Sequence, residues 1–262
     1  MRININTVGP IMEVRGITKN IHGLGRDIPE DIRRRVRREC GFGCVICGLA
    51  IAQYEHIDPP FADATVHDPE NIALLCGSCH DRVTRGVWSK EKVLKARITP
   101  KTFVQGYARD AFDFKAPFDL FVGDDCFTDV HCVVRKSTGD EWFSIEAPED
   151  AEAPPRLSAK FFAPNDDLAL EIYQNEWRCS TGVWDMQVSG PTIEVLTESR
   201  NLMLQLKARP PHGLEIQYLN MVFQDTGISI DKHGTVLLTV AGTQIQMKGS
   251  EVASADAVFN LP

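Results

Sequence analysis

Two Cys-x-x-Cys pairs constrain this chain more than any other feature: Cys44 and Cys47 in G-F-G-C-V-I-C-G, and Cys76 and Cys79 in L-L-C-G-S-C-H. A C-x2-C turn presents two thiolates from one knuckle, and zinc prefers four such ligands in a tetrahedron. Gly43 and Gly48 permit the tight backbone of the first knuckle, and Gly77 lies between the cysteines of the second. A redox-active dithiol would account for one pair but not for two, so the spacing predicts a four-cysteine zinc site. Four thiolates leave zinc no open position for a substrate, so this metal is structural. The other cysteines (Cys40, Cys126, Cys132, Cys179) are scattered and read as small buried hydrophobes, not as a disulfide framework.

The 262 residues are enough for one large domain or two small ones, and 43% hydrophobic with 24% charged residues is ordinary for a soluble globular chain. No apolar run approaches the ~18 residues of a membrane span. Residues 1–16 lack the basic-then-apolar layout of a secretory signal, so the expectation is a cytoplasmic protein with no membrane partner. A net charge of −8 argues at first against nucleic acid, but the total hides an asymmetry. Residues 1–110 hold 17 Lys and Arg against 13 Asp and Glu; the remainder holds 11 against 23. A basic front and an acidic back are expected when only the front meets phosphate. The predicted organisation is a basic domain over 1–110 and an acidic domain over 111–262 that repels nucleic acid or shields the basic front.

The basic charge is concentrated in one predicted helix. Asp27 or the residue after it caps a helix with Pro29, Glu30 and Asp31 in its early turn, running to about Cys40 and stopping at Gly41. Ile32, Val36 and Cys40 share one face, and Arg33, Arg34, Arg35, Arg37 and Arg38 cover the rest. A solvated surface is the plain alternative. Five arginines of one sign before a metal-ligand pair favour a phosphate-binding face. Residues 1–24 give weak signals of a short strand and a Gly-rich loop, and 94–115 read as helical or irregular.

From about Ala116 the texture changes. Apolar runs recur about every ten residues with period-2 alternation, at 142–145, 168–173, 184–188, 192–196, 202–206, 214–219, 227–230 and 236–240. This predicts a mainly antiparallel β-rich domain, a sandwich or a short solenoid. The stretch 147–155, acidic with three prolines, reads as a loop and linker. Trp142, Trp177 and Trp184 are expected in its core.

Between the cysteine pairs lie Q-Y-E-H-I-D-P-P and then P-E-N-I-A-L-L-C-G-S-C-H-D, which order His56, Asn71 and His80 around the zinc knuckles. In type, order and spacing, roughly 70 residues from about Arg26 to Val93 resemble the HNH endonuclease family. The resemblance implies an α+β fold with an N-terminal ββα-metal finger, in which a β-hairpin and a helix clasp one catalytic ion beside the structural zinc. It implies hydrolysis of phosphodiester bonds, with His56 as general base, Glu55 and His80 as metal ligands, and Asn71 orienting His56 or completing the coordination shell. Neighbours on a strand point to opposite faces, so Glu55 and His56 can share a site only at a bulge or a strand end. Thr84 stands where relatives of this kind often carry a further ligand. Waters and a phosphate oxygen would then complete a shell suited to Mg²⁺ or Mn²⁺ that would also accept Ni²⁺ or Zn²⁺.

DNA is the expected partner, with RNA left open; Arg33, Arg34, Arg37, Arg38, Arg82 and Arg85 are the expected phosphate contacts. Lys90 and Lys92 are weaker contacts of the same kind. His22, His67, His131, His212 and His233 read as structural or surface residues. The second reading is a non-catalytic zinc module that binds nucleic acid or protein. The β-rich domain suits a restriction or anti-phage effector, a toxin held inactive, or docking to a protein partner or a second copy.

Overall fold

The computed structural model describes residues 19–136, 141–150, 153–223 and 226–261. The weak strand signal before residue 19 and part of the 147–155 linker lie outside the described residues; Gly23, at φ 80°, turns a short loop closed by a Lys19–Gly25 bridge. Helix α1 spans Glu30–Glu39, and strands β1 (Ala52–His56) and β2 (Ile72–Cys76) pair antiparallel. Helix α2 (Gly77–Thr84) follows β2 directly, then α3 (Lys90–Ile98) and the short α4 (Lys101–Gln105). Pro29, not Asp27, is the N-cap residue of α1, so the helix begins slightly later than the sequence predicts. Its first turn carries Glu30 and Asp31 and its last Arg37 and Arg38, which matches the sign of the helix dipole at both ends.

The small core of this region is formed by Val36 and Cys40 of α1, Val45, Ile57, all of β2, Val83 and Val93. Every β2 residue is buried because α1 lies on one side and α2 with the cysteine knuckle on the other. Arg97 of α3 ties the layers together, donating from Nε to the Ile72 carbonyl at 3.0 Å while its guanidinium pairs with Glu39.

Seventeen further strands follow among the described residues. They are β3 (Tyr107–Ala111), β4 (Asp119–Val122), β5 (Asp125–Thr128), β6 (Cys132–Lys136), β7 (Glu141–Glu146), β8 (Arg156–Phe162), β9 (Leu168–Tyr173) and β10 (Glu176–Ser180). Next come β11 (Asp185–Ser189), β12 (Thr192–Leu196), β13 (Leu202–Arg209), β14 (Gly213–Phe223), β15 (Thr226–Ile230), β16 (Val236–Val240), β17 (Thr243–Met247), β18 (Glu251–Ala253) and β19 (Ala257–Leu261). One sheet runs β19-β6-β7-β8-β9-β10-β3; a second runs from β11 to β17 in chain order, with β4 beside β14 and β5 and β18 beyond it. Both sheets contribute to one hydrophobic core, and Phe162 of one stacks on Phe223 of the other at 3.8 Å. The fold is α+β, an N-terminal hairpin-and-helix unit followed by a β-rich region.

Strand β3 straddles the expected division at residue 110. It leaves α4 through Gly106, at φ 87°, and pairs with β10 at the edge of the first sheet. The sequence reads 94–115 as helical or irregular; Y-A-R-D-A is a strand because β10 supplies the partner edge. Phe42 and Ala50, from the cysteine-knuckle region, are buried in the sandwich's core cluster. Trp142 and Trp177 are core residues there, while Trp184 is only half-buried.

Candidate active site

The two cysteine knuckles converge. Cys44 and Cys47 lie in the turn before β1, where Gly48 at φ 83° lets its N–H return to the Cys44 carbonyl at 2.8 Å. Cys76 ends β2 and Cys79 lies in the first turn of α2. The four sulfurs all lie within 4.8 Å of one another, with Cys47–Cys76 at 3.5 Å and Cys47–Cys79 at 3.9 Å. A tetrahedral zinc with Zn–S of ~2.3 Å sets its sulfurs about 3.8 Å apart, so the donor set fits the ion. A proton shared from Cys47 draws the Cys44 thiol down to about 5, while the same contact pushes the Cys47 thiol up. Four thiols this close cannot all ionise unless a cation sits among them.

The hairpin beside this site carries the other residues. β1 pairs with β2 without a bulge, Glu55 opposite Ala73 and His56 opposite Ile72. His56 is the last strand residue, and beyond it Ile57 donates its N–H to the Asn71 carbonyl at 2.8 Å. Because the strand ends there, Glu55 and His56 both line one cleft of about 390 Å³, together with His80, Gln53, Tyr54, Phe61, Arg26 and Arg33.

In that cleft the Glu55 carboxylate spans two partners. Its Oε2 lies 2.9 Å from His80 Nε2, and its other oxygen meets the Lys90 ammonium, which also donates to the His56 carbonyl at 2.8 Å. His80 reaches this position from the middle of α2. Two donors about 2.1 Å from a shared ion and at right angles to each other lie about 3.0 Å apart, so Glu55 and His80 fit as a cation's ligands. His56 is buried between Phe61 and the loop after β1, and burial, with His67 and Lys90 adding to it, lowers its pKa from the ordinary histidine value. A neutral imidazole is the form able to accept a proton.

Asn71 closes a turn at Pro69–Asn71 whose N-cap is Asp68. Its side-chain amide donates to Asp68 at 2.8 Å, and its carbonyl holds the chain just past His56. Both contacts are of the orienting kind.

Two expectations need correcting. His67 reads as a loop histidine in the sequence, yet its Nδ1 lies 3.0 Å from His56 Nε2. No local spacing could reveal this, because the loop at 57–68 folds back over the strand end. Arg37 is not a phosphate-facing residue. It is buried, bonded through Nε and Nη2 to Asp185 of β11 at 2.9 and 2.7 Å, to Glu30 at 2.8 Å and to the Tyr54 hydroxyl at 3.0 Å.

The remaining arginines divide. Arg34 turns to Asp185 at 3.3 Å and to the Trp184 ring at 5.2 Å. Arg33 lines the cleft and pairs with Glu30 at 3.0 Å, and Arg35 pairs with Glu39 and Glu70. Arg38 is exposed over Trp184; on α2, Arg82 is exposed over Trp88 at 4.8 Å and Arg85 is exposed beside Asp81.

With this geometry the comparison with known families is specific. Residues 39–86 match the HNH endonuclease family. The match covers the zinc knuckles, the hairpin and α2, so the N-terminal part of the chain is a nuclease-type, metal-binding HNH domain. Neither the curated proteins nor the solved structures gave a match to the chain. Among the described residues no helix is long and apolar enough to cross a membrane.

Proposed function

We propose that this protein is a metal-dependent endonuclease that hydrolyses phosphodiester bonds of DNA in the Glu55–His56–His80 cleft, with residues 1–110 as the catalytic unit. The observation that carries the reading is the pair of donors, Glu55 Oε2 and His80 Nε2, 2.9 Å apart in a cleft that His56 also lines. A divalent ion bound there, Mg²⁺ or Mn²⁺ in this reading, supplies positive charge against the phosphate as it gains charge.

The protein's own groups account for the rest. His56 takes the proton of the attacking water, and its buried ring is neutral and ready to accept it. His56 Nε2 faces His67, so in the tautomer that donates Nε2–H to His67 the other nitrogen keeps its lone pair for the water. Asn71 and Lys90 both hold the peptide unit between His56 and Ile57, which fixes the backbone that carries that ring. Arg26 and Arg33 on the cleft wall meet phosphate oxygens flanking the cut. The zinc takes no part in the chemistry and fixes the start of α2, and so His80, relative to the hairpin.

The test is nicking of supercoiled plasmid with Mg²⁺ or Mn²⁺. His56→Ala should lower the rate by about 10²–10⁴, the usual worth of a general base, while retaining zinc and DNA affinity. Equal cutting by the variant would remove His56 as the base. A wild-type protein that binds DNA but cuts neither DNA nor RNA with any of these ions would leave the zinc-module reading in its place.

A further inference from the structure

The acidic β-rich region carries an exception to its own charge at the seam with α1. Trp184, half-buried just before β11, has three guanidinium groups around its ring: Arg34 at 5.2 Å, Arg38 at 5.5 Å and Arg200 at 6.0 Å from the ring centre. Arg34 is compensated by Asp185 at 3.3 Å. Arg38 and Arg200 are exposed, and among the described residues neither pairs with a carboxylate. Arg38 belongs to the HNH side and Arg200 to the turn between β12 and β13. Elsewhere on the surface the arginines are typically neutralised, as Arg35, Arg85, Arg135, Arg156 and Arg209 are by neighbouring acids. Two like charges gathered around one aromatic ring and left without an acid form a site for an anion that reaches both.

The placement fits a polyanion passing through the cleft. Arg33 lines the cleft, and Arg38 lies five residues further along the same helix, about 7.5 Å along its axis at 1.5 Å per residue. Five residues also turn about 140° around the helix, so a strand leaving the cleft reaches Arg38 by curving over α1. The seam is also rigid, because Asp185, next to Trp184 in the chain, is fully buried and held by two bonds from Arg37. A preorganised cationic surface loses little freedom on binding.

We infer that this seam is a second contact for the polynucleotide, in which Arg38 and Arg200 grip the phosphate backbone beyond the cleft and Trp184 holds both guanidinium groups in place. The β-rich region thereby contributes to substrate binding directly. The inference rests on the nuclease reading, since the polyanion it names is that enzyme's substrate.

The test uses the full-length, zinc-loaded protein with Arg38→Gln, Arg200→Gln and both changes together. Binding to a labelled DNA duplex, and to RNA of the same sequence, is measured across a salt series in the His56→Ala background. Each single change should flatten the dependence of log Kd on log salt by about one, and the pair by about two. Affinity at low salt should weaken several-fold on whichever polynucleotide is bound. Unchanged salt slopes in a set whose wild type cuts would overturn the seam and leave the nuclease standing. A wild type that neither binds nor cuts DNA or RNA would overturn both. The two arginines lie on different elements, so misfolding of one variant, seen as zinc loss, leaves the other to decide.

Discussion

His56 and His67 meet at 3.0 Å although they stand eleven positions apart in the chain. A histidine asked to act as a base gains from a partner that fixes its ring and tautomer, as such outer contacts do for metal-bound histidines. His67→Ala should therefore lower the single-turnover cleavage rate at saturating DNA by about tenfold, less than His56→Ala, with Kd for DNA unchanged. An unchanged rate would mean that the contact is idle. At this scale the sequence was informative where chemistry is tied to a motif slot. Glu55, His56 and His80, which line one cleft, stand out because type, order and spacing agree within one short stretch. His67 and Lys90 were not recognised as neighbours of His56 and Glu55, because loop and helix geometry bring them in from positions with no periodic relation to the hairpin. Arg37 misled for a related reason: a helix wheel shows which residues share a face but not that a distant strand will bury that face.

At the scale of elements, the HNH domain rests on very short pieces. β1 and β2 have five residues each, and a lone two-stranded hairpin is marginal in water. The four-cysteine site clamps the turn before β1 to the end of β2 and the start of α2, and structural zinc sites contribute folding free energy on the order of 10 kcal/mol. Stripping zinc with a strong chelator, or the change Cys79→Ser, should release the metal and abolish cutting even though Glu55 and His80 are untouched. The β-sheet signal in circular dichroism should survive, because the sandwich has its own core. Cutting that persists at full rate after complete zinc loss would contradict this role.

The strands of the sandwich were unevenly legible for a similar physical reason. Runs such as Leu168–Tyr173 and Val236–Val240 announce themselves by alternation or apolar content. β5 opens on a buried Asp125, which accepts from the Ser250 N–H at 2.7 Å, and β17 is largely exposed. β5 has no alternating run and is held by its neighbours' backbone, whereas β17 alternates in sequence (Gln244, Ile245, Gln246, Met247) without burying that face.

Across the whole molecule the basic front and the acidic back pack against each other. Phe42 and Ala50 enter the sandwich's core cluster, β3 continues its first sheet, and the Thr181 N–H donates to the Gly106 carbonyl at 3.0 Å. Asp185 and Arg37 are the polar centre of that junction, and the paired carboxylates hold the Arg37 charge even though burial opposes it. Removing one member of a buried pair leaves the other charge unsolvated, at a cost of about 3–5 kcal/mol. Asp185→Asn should therefore shift the urea midpoint well below wild type. The β-rich region can be followed through the fluorescence of its buried Trp142 and Trp177, and the HNH domain through zinc release to a chromogenic chelator. If the junction couples the two, both probes should move to lower urea together, because Arg37 also bonds the Tyr54 hydroxyl on β1. A zinc-release midpoint that stays at the wild-type value while the fluorescence shifts would show that the HNH domain folds without its neighbour.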